Sequence, residues 1–388
     1  MTHTNDDYLS RPYALYVLGA GFSSPAGLPL APELWREVYR RAGRLDGRMG
    51  KFREDLDDFI RFKWECDRER VTTETVDFEE FLGFLEVEYH LGLRGSDTWS
   101  TDGNEGQVVA KTLIGQVLSE RMPKAAQIRP LYLKFAKKLR PGDTILTFNY
   151  DTLLERALEV AGVPFRLFPF RYRRVSPDGG GIIDSDRDDE VVVFKLHGSI
   201  DWFDRRSFSE REAQWKRDGV RHEPEDPVFN GPRKLTTVRL IDGLSHEQDP
   251  LHYMYRVRDL ERLYVDPPWF MAVPSLINPS TTKVIFAGQF ADFWRGLGRT
   301  GGGNHRMVII GFSMPPNDDY ARQVIYRLAE NYQQIHYDRR KPKEPIILVD
   351  FRTTKRSRDH LLKRYAFLDM TKTELHLGGF TETFLDRL

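Results

Sequence analysis

The chain has 388 residues, with 58 Lys+Arg against 58 Asp+Glu and a formal net charge of zero. That balance removes the global electrostatic case for direct nucleic-acid binding, and 40% apolar with 12% aromatic residues is the composition of a folded globular chain. The single cysteine, Cys66, excludes a disulfide framework and a cysteine-based zinc site, and no apolar run nears the roughly 18 residues of a membrane span. Residues 1–11 are polar and acidic without the apolar stretch of a leader peptide, so a cytoplasmic location is expected. An apolar run from Tyr13 to Leu18 then turns into Gly19-Ala20-Gly21-Phe22-Ser23, and a helix-starting pattern follows at Pro32-Glu33-Leu34-Trp35. Strand, tight glycine turn and helix N-terminus together make a phosphate site, because glycines let backbone N–H groups approach an anion.

The next hundred residues carry apolar side chains at three- and four-residue spacing over 33–44, 52–66, 76–91, 107–122 and 128–139. This predicts a helical insertion over 33–140, with a polar linker at 94–106. Strands are then expected at 143–148, 191–196, 283–286, 307–310 and 345–349, and helices at 152–160, 290–297, 319–331 and 356–365. A polar loop is expected at 178–189, and 201–268 reads as an irregular insertion or small module. The near-continuous apolar strands and their alternation with helices predict one α/β domain over 1–388, a doubly wound, mostly parallel Rossmann-like sheet.

Ligands of open α/β sheets bind beyond the carboxyl ends of the strands. Here those ends carry the Gly19–Ser23 turn, Asn149-Tyr150-Asp151, His197-Gly198-Ser199, Gly311-Phe312-Ser313 and Asp350. A dehydrogenase-type dinucleotide site requires a third glycine where this chain has Ser24, and an acidic residue ending a second strand about 20 residues on. The helical insertion stands there instead, which disfavours an oxidoreductase.

Gly19-Ala20-Gly21-Phe22-Ser23 with Gly27-Leu28-Pro29, then Thr147-Phe148-Asn149-Tyr150-Asp151, Leu196-His197-Gly198-Ser199 and Gly311-Phe312-Ser313, resembles the sirtuin superfamily in order and spacing. The likeness is closer to the bacterial sirtuin-like branch that cleaves NAD+ in antiphage defence than to the protein deacetylases. Where deacetylases continue Gly-Ile-Pro-Asp-Phe-Arg, this chain has Leu30-Ala31-Pro32 after Pro29, and one cysteine cannot build their four-cysteine zinc module. The resemblance therefore implies a sirtuin-like NAD+ hydrolase that uses no cofactor beyond its substrate NAD+ and no zinc. It also implies a homo-oligomer held in check by an activating partner, a HerA-type ATPase first and an Argonaute-type sensor second. An NAD+ or ADP-ribose sensor without turnover, and an NAD+-dependent deacylase or ADP-ribosyltransferase, are the alternatives.

The residue chemistry agrees with cleavage of the nicotinamide–ribose bond. That reaction passes through an oxocarbenium-like sugar and requires a group to take a proton from water or a ribose hydroxyl. His197, at a strand end, is the expected base, although a histidine there can also simply cap the strand. Asn149 carries both a donor and an acceptor for water or ribose, or else makes an Asx turn. Asp151 fits equally a helix cap and a contact with the nicotinamide ribose. The resemblance further implies that Ser23 and the backbone of Gly19, Ala20, Gly21 and Phe22 hold the pyrophosphate, that Gly311 and Ser313 meet the adenosine ribose, and that Asp350 meets the adenine.

Overall fold

The apolar runs fold as strands because each can be buried on both of its faces. The computed structural model describes residues 13–45, 50–93, 103–167, 172–175, 181–183, 189–220, 226–231, 235–241, 250–265, 272–278, 294, 297, 301–334 and 343–388. In chain order its strands are β1 (Ala14–Leu18), β2 (Thr144–Thr147), β3 (Phe165–Arg166), β4 (Tyr172–Val175), β5 (Gly181–Ile183), β6 (Val191–Lys195), β7 (Trp202–Asp204), β8 (Thr237–Arg239), β9 (Met254–Val257), β10 (Arg306–Ile310), β11 (Ile346–Val349) and β12 (Thr373–His376). Seven of them form one sheet in the order β12-β11-β10-β1-β2-β6-β3. Every neighbouring pair is parallel. All five residues of β1 and of β6 are buried, and since side chains alternate across a strand, both faces of the sheet are covered. This is the doubly wound Rossmann-like α/β architecture expected from the alternation.

The winding reverses between β1 and β10. From β1 the chain builds outward through β2 and β6, then returns to the other side of β1 and builds through β10, β11 and β12. Register pairs Leu18 with both Ile310 and Thr147, Thr147 with Lys195, and Ile310 with Val349. Gly19, Phe148, Leu196, Gly311 and Asp350 therefore leave the sheet at one level, along one rim. That rim, at a reversal of winding, is where open α/β sheets place their ligands.

Between β1 and β2 lie the helices Ala31–Ala42, Gly50–Glu65, Phe78–Leu91, Glu105–Arg121 and Pro130–Lys138. Their ends are specified locally: Asp77 Oδ1 accepts from the Glu79 and Glu80 amides, and Asn104 with Gln107 forms a capping box. Helix Glu105–Arg121 is buried on nearly every residue from Gly106 to Ser119, because helices Ala31–Ala42, Gly50–Glu65 and Phe78–Leu91 all pack against it. A helix buried all round is a core helix, even with Gln107, Thr112, Gln116 and Ser119 among its buried residues, and this one is the centre of the insertion rather than one of its walls.

Several segments differ from the sequence reading. The chain does not wait for Pro32 to become helical: Ala20–Ser23 is already one helical turn, followed by a 3₁₀ turn over Ser24–Ala26. The expected loop at 178–189 contains β5, which pairs antiparallel with β4. Within 201–268 the order is greater than its charged sequence suggested, with an antiparallel sheet β7-β9-β8 and helix Arg206–Arg217. The segment is tied to the insertion through Gln116, whose side-chain amide donates to Val265 O at 2.9 Å, and through Tyr264, whose ring lies where a Cβ on Gly115 would stand. The expected strand at 283–286, most of the helix at 290–297 and most of the linker at 94–106 lie outside the described residues.

Candidate active site

A cleft of about 840 Å³ opens over the rim and is lined by residues from all the strand ends named above. It brings together Gly19, Ala20, Gly21, Asn149, Asp151, His197, Gly311, Ser313 and Asp350, while Phe22 and Ser23 lie buried behind its wall. Nine of the eleven predicted site residues are thus collected into one place from positions up to 331 apart in sequence.

The floor is made by two glycine turns packed backbone on backbone. Gly19 N–H donates to Ile310 O at 3.0 Å, Gly21 N–H to Gly311 O at 3.0 Å, and Gly311 N–H to Val349 O at 2.8 Å. Gly311 sits at φ 62°, and a Cβ on it would stand 2.4 Å from Gly21 Cα. Only glycine satisfies both conditions. The Phe22 amide donates to Gly19 O at 2.9 Å, so the Gly21 and Phe22 N–H groups are engaged inside the protein, while Ala20 is exposed to the cleft.

Asn149 is anchored to this floor. Its Nδ2 donates to Gly19 O at 3.0 Å and to Ser23 Oγ at 3.2 Å, and its backbone N–H donates to Thr147 Oγ1. A carbonyl can only accept, so the bond to Gly19 O fixes the amide orientation and points its acceptor, Oδ1, elsewhere. Ser23, 2% exposed, therefore holds Asn149 in place. Asp151 makes an Asx turn ahead of helix Leu153–Ala161, whose N-cap is Thr152: Asp151 Oδ1 accepts from the Leu153 amide at 3.0 Å.

His197 follows β6 and is 4% exposed. Its Nε2 lies 2.9 Å from Asp318 Oδ2, and its ring meets Phe148 edge-on at 5.0 Å with Tyr150 at 6.1 Å. Gly198 after it, at φ 75°, lets the chain pass Ser275, whose carbonyl would lie 2.0 Å from a Cβ there. The backbone is then pinned from the segment 272–278, since the Ile277 amide donates to His197 O at 2.9 Å.

Beneath Asn149 and His197 lies a buried ionic layer. Lys195, fully buried, stands 2.8 Å from Glu155 and donates to Asp151 O, while Arg256 Nε donates to Asp201 Oδ2 at 2.9 Å. Burial pushes the Glu155 carboxyl up from the usual carboxylate range, and the Lys195 ammonium opposes that shift. Removing one member of such a pair strands the other charge, so Lys195→Ala is expected to cost about 3–5 kcal/mol. Urea denaturation against wild type measures it, and an unchanged midpoint would show the pair to be dispensable.

At the β10–β11 side the lining turns cationic. Arg364 donates to Ser313 O at 2.9 Å, and Arg352 donates to Asp350 Oδ2 at 3.2 Å. Burial raises the Asp350 carboxyl, with Arg352 acting against it. Phe351, 69% exposed, stands at this lip, and Phe312 stacks on Phe148 at 4.3 Å. Arg129, whose guanidinium donates to Pro25 O, lines the same cleft. Sequence reasoning missed Arg129, Arg352 and Arg364, and in the sequence Asn317-Asp318-Asp319 reads only as the N-cap region of the helix after Gly311-Phe312-Ser313. The charged residues sit outside recognisable motifs, and only folding aims them at the rim. Among the described residues, no group of three or more His, Cys, Asp or Glu is arranged to hold a metal, and no helix is long and apolar enough to cross a membrane.

Comparison with known proteins gives a partial answer. No curated protein matches the chain. Two solved structures are similar over nearly its whole length at 13% identity: Sir2Tm bound to a propionylated peptide, over 98% of this chain and 94% of that one with a TM-score of 0.31, and a structure addressing the structural basis of sirtuin substrate affinity, over 100% and 98% with a TM-score of 0.32. Superpositions that loose transfer no residue and no substrate. The family match is sharper: residues 143–226, which hold Asn149, Asp151 and His197, match the family model described as SIR2-like domain.

Proposed function

We propose that this chain is an NAD+ glycohydrolase, releasing nicotinamide and ADP-ribose. The observation that carries the proposal is that Asn149 and His197 leave adjacent strands inside the SIR2-like segment and meet in one cleft floored by a glycine turn. As the bond between ribose C1′ and the nicotinamide nitrogen breaks, its electron pair neutralises the pyridinium. Water adds to C1′, and His197 takes the proton that water loses. Asn149, with its amide donors spent on Gly19 and Ser23, offers Oδ1 to orient water or a ribose hydroxyl. The carboxylates of Asp151 and Glu79 line the same cleft and favour positive charge on the sugar. We assign the pyrophosphate to exposed Ala20 and the cleft arginines, because the Gly21 and Phe22 amides are already engaged, and the adenosine half to Gly311, Ser313, Asp350 and exposed Phe351.

The order and spacing of the motifs support the wider part of the proposal: a cytoplasmic antiphage system in which NAD+ depletion arrests the infected cell. In it a homo-oligomer is released by a partner, a HerA-type ATPase ahead of an Argonaute-type sensor. The direct test is incubation of the purified protein with NAD+, alone and with the product of the neighbouring gene. Equal amounts of nicotinamide and ADP-ribose are expected. Binding without products would replace the proposal with a sensor, and products only in the presence of an acylated peptide would replace it with a deacylase.

A further inference from the structure

We infer that Asp318 is the positioning residue for His197, selecting which imidazole nitrogen acts as the base; this rests on the assignment of His197 above. Asp318 is fully buried and lies at the N-terminus of helix Asp319–Gln334. Its two carboxylate oxygens do different work. Oδ1 accepts from the Ala321 amide at 3.0 Å and caps the helix, and Oδ2 lies 2.9 Å from His197 Nε2. A cap needs one oxygen, and any of several short polar side chains would provide it. The second oxygen is aimed at a histidine 121 positions earlier in the chain.

The approach to Asp318 is also specialised. Met314, 2% exposed, takes the left-handed region at φ 52°, a conformation that non-glycine residues avoid, and Pro315-Pro316 follow it. The turn carries the chain from the Gly311 floor back over the cleft, so that the helix N-terminus arrives beside the His197 ring. The aromatic rings of Phe148, Tyr150 and Trp294 lie around that ring. They restrict its tilt but do not distinguish its nitrogens. A carboxylate oxygen carries only lone pairs, and at 2.9 Å it repels a lone pair on Nε2, so the ring proton is favoured on Nε2 and the basic lone pair falls on Nδ1. A carboxylate placed behind a histidine in this way sets its tautomer and supports the imidazolium formed when the ring takes a proton.

The consequence is specific to the side chain. In Asp318→Asn the carbonyl must still cap Ala321, so the amide faces His197 Nε2 and forces the proton onto Nδ1. In Asp318→Ser the cap survives and the group facing the ring is lost. Both variants should fold, with kcat for NAD+ cleavage reduced roughly 10²- to 10⁴-fold, the range of a misdirected general base. KM should change by less than about threefold, since substrate binding is left in place. Long-range ¹H–¹⁵N spectra of ¹⁵N-histidine-labelled protein, with the His197 signals assigned by His197→Gln, should show Nε2–H in wild type and Nδ1–H in Asp318→Asn. Wild-type kcat in both variants would reduce Asp318 to a helix cap, and an Nδ1–H ring in the wild type would overturn the inference outright. The spectra do not depend on turnover. A protein that leaves NAD+ intact yet shows the tautomer switch would remove the proposed activity and retain the pair.

Discussion

Asn149→Ala and His197→Ala are each expected to slow nicotinamide release by about 10²–10⁴-fold while the sheet stays folded. Asn149→Ala removes the bonds to Gly19 O and Ser23 Oγ along with the group that orients water, and losing such bonds costs only about 1 kcal/mol of stability each. His197→Ala also takes the ring away from the buried Asp318 carboxylate. His197→Gln is the companion variant, because it keeps a polar group near that carboxylate without a titrating nitrogen. The double variant Asn149→Ala/His197→Gln should be barely slower than the worse single change, as residues acting as a unit are not additive. The measurement is product formation from NAD+ by chromatography, with circular dichroism confirming the fold. Wild-type rates in folded single variants would remove both residues from the chemistry.

Gly311→Ala is expected to do more damage than either, and to the protein rather than to the reaction alone. An alanine at φ 62° bears a penalty of roughly 1–2 kcal/mol. Its methyl group would also stand 2.4 Å from the Gly21 backbone. Backbone cannot rotate aside as a side chain can, so β1 and β10 would have to separate where they carry the cleft floor. A total of about 3 kcal/mol or more is expected, in the range reserved for overpacked or strained sites. Gly27→Ala is the control: its φ of 90° is also unfavourable for alanine, but nothing lies within 4 Å of the added carbon. Thermal denaturation should therefore place Gly311→Ala well below Gly27→Ala, and equal midpoints would refute the close-packed floor.

The parts of this fold legible in the sequence are those where one residue type dominates a short run. Strands β1, β2, β6, β10 and β11 read as apolar stretches because they are buried on both faces. Strand β12 did not, because Thr373-Glu374-Leu375-His376 forms the sheet edge and no residue in it is fully buried. The β7-β9-β8 sheet was missed for a related reason: its members are short, and β9 pairs with β7 across about 50 positions, a pairing that local pattern does not carry. The same division runs through the site. Gly19, Asn149 and His197 stand at strand ends and could be collected by topology alone. Asp318 was legible as a cap, a relation spanning three residues, but the contact of its other oxygen with His197 exists only after folding. Arg364 reaches Ser313 from a helix 51 residues further on and offered no local signal.

The contact between the two glycine turns also bears on when the protein can act. Strand β1 has two neighbours, one beginning at Thr144 and the other at Arg306. A ribosome that has made only the first 300 residues has therefore produced Asn149 and His197, but neither the second turn that closes the floor nor the carboxylate behind the histidine. Contacts this distant in sequence form late and slowly. A nascent or truncated chain accordingly holds Asn149 and His197 without the closed floor that brings them into one cleft.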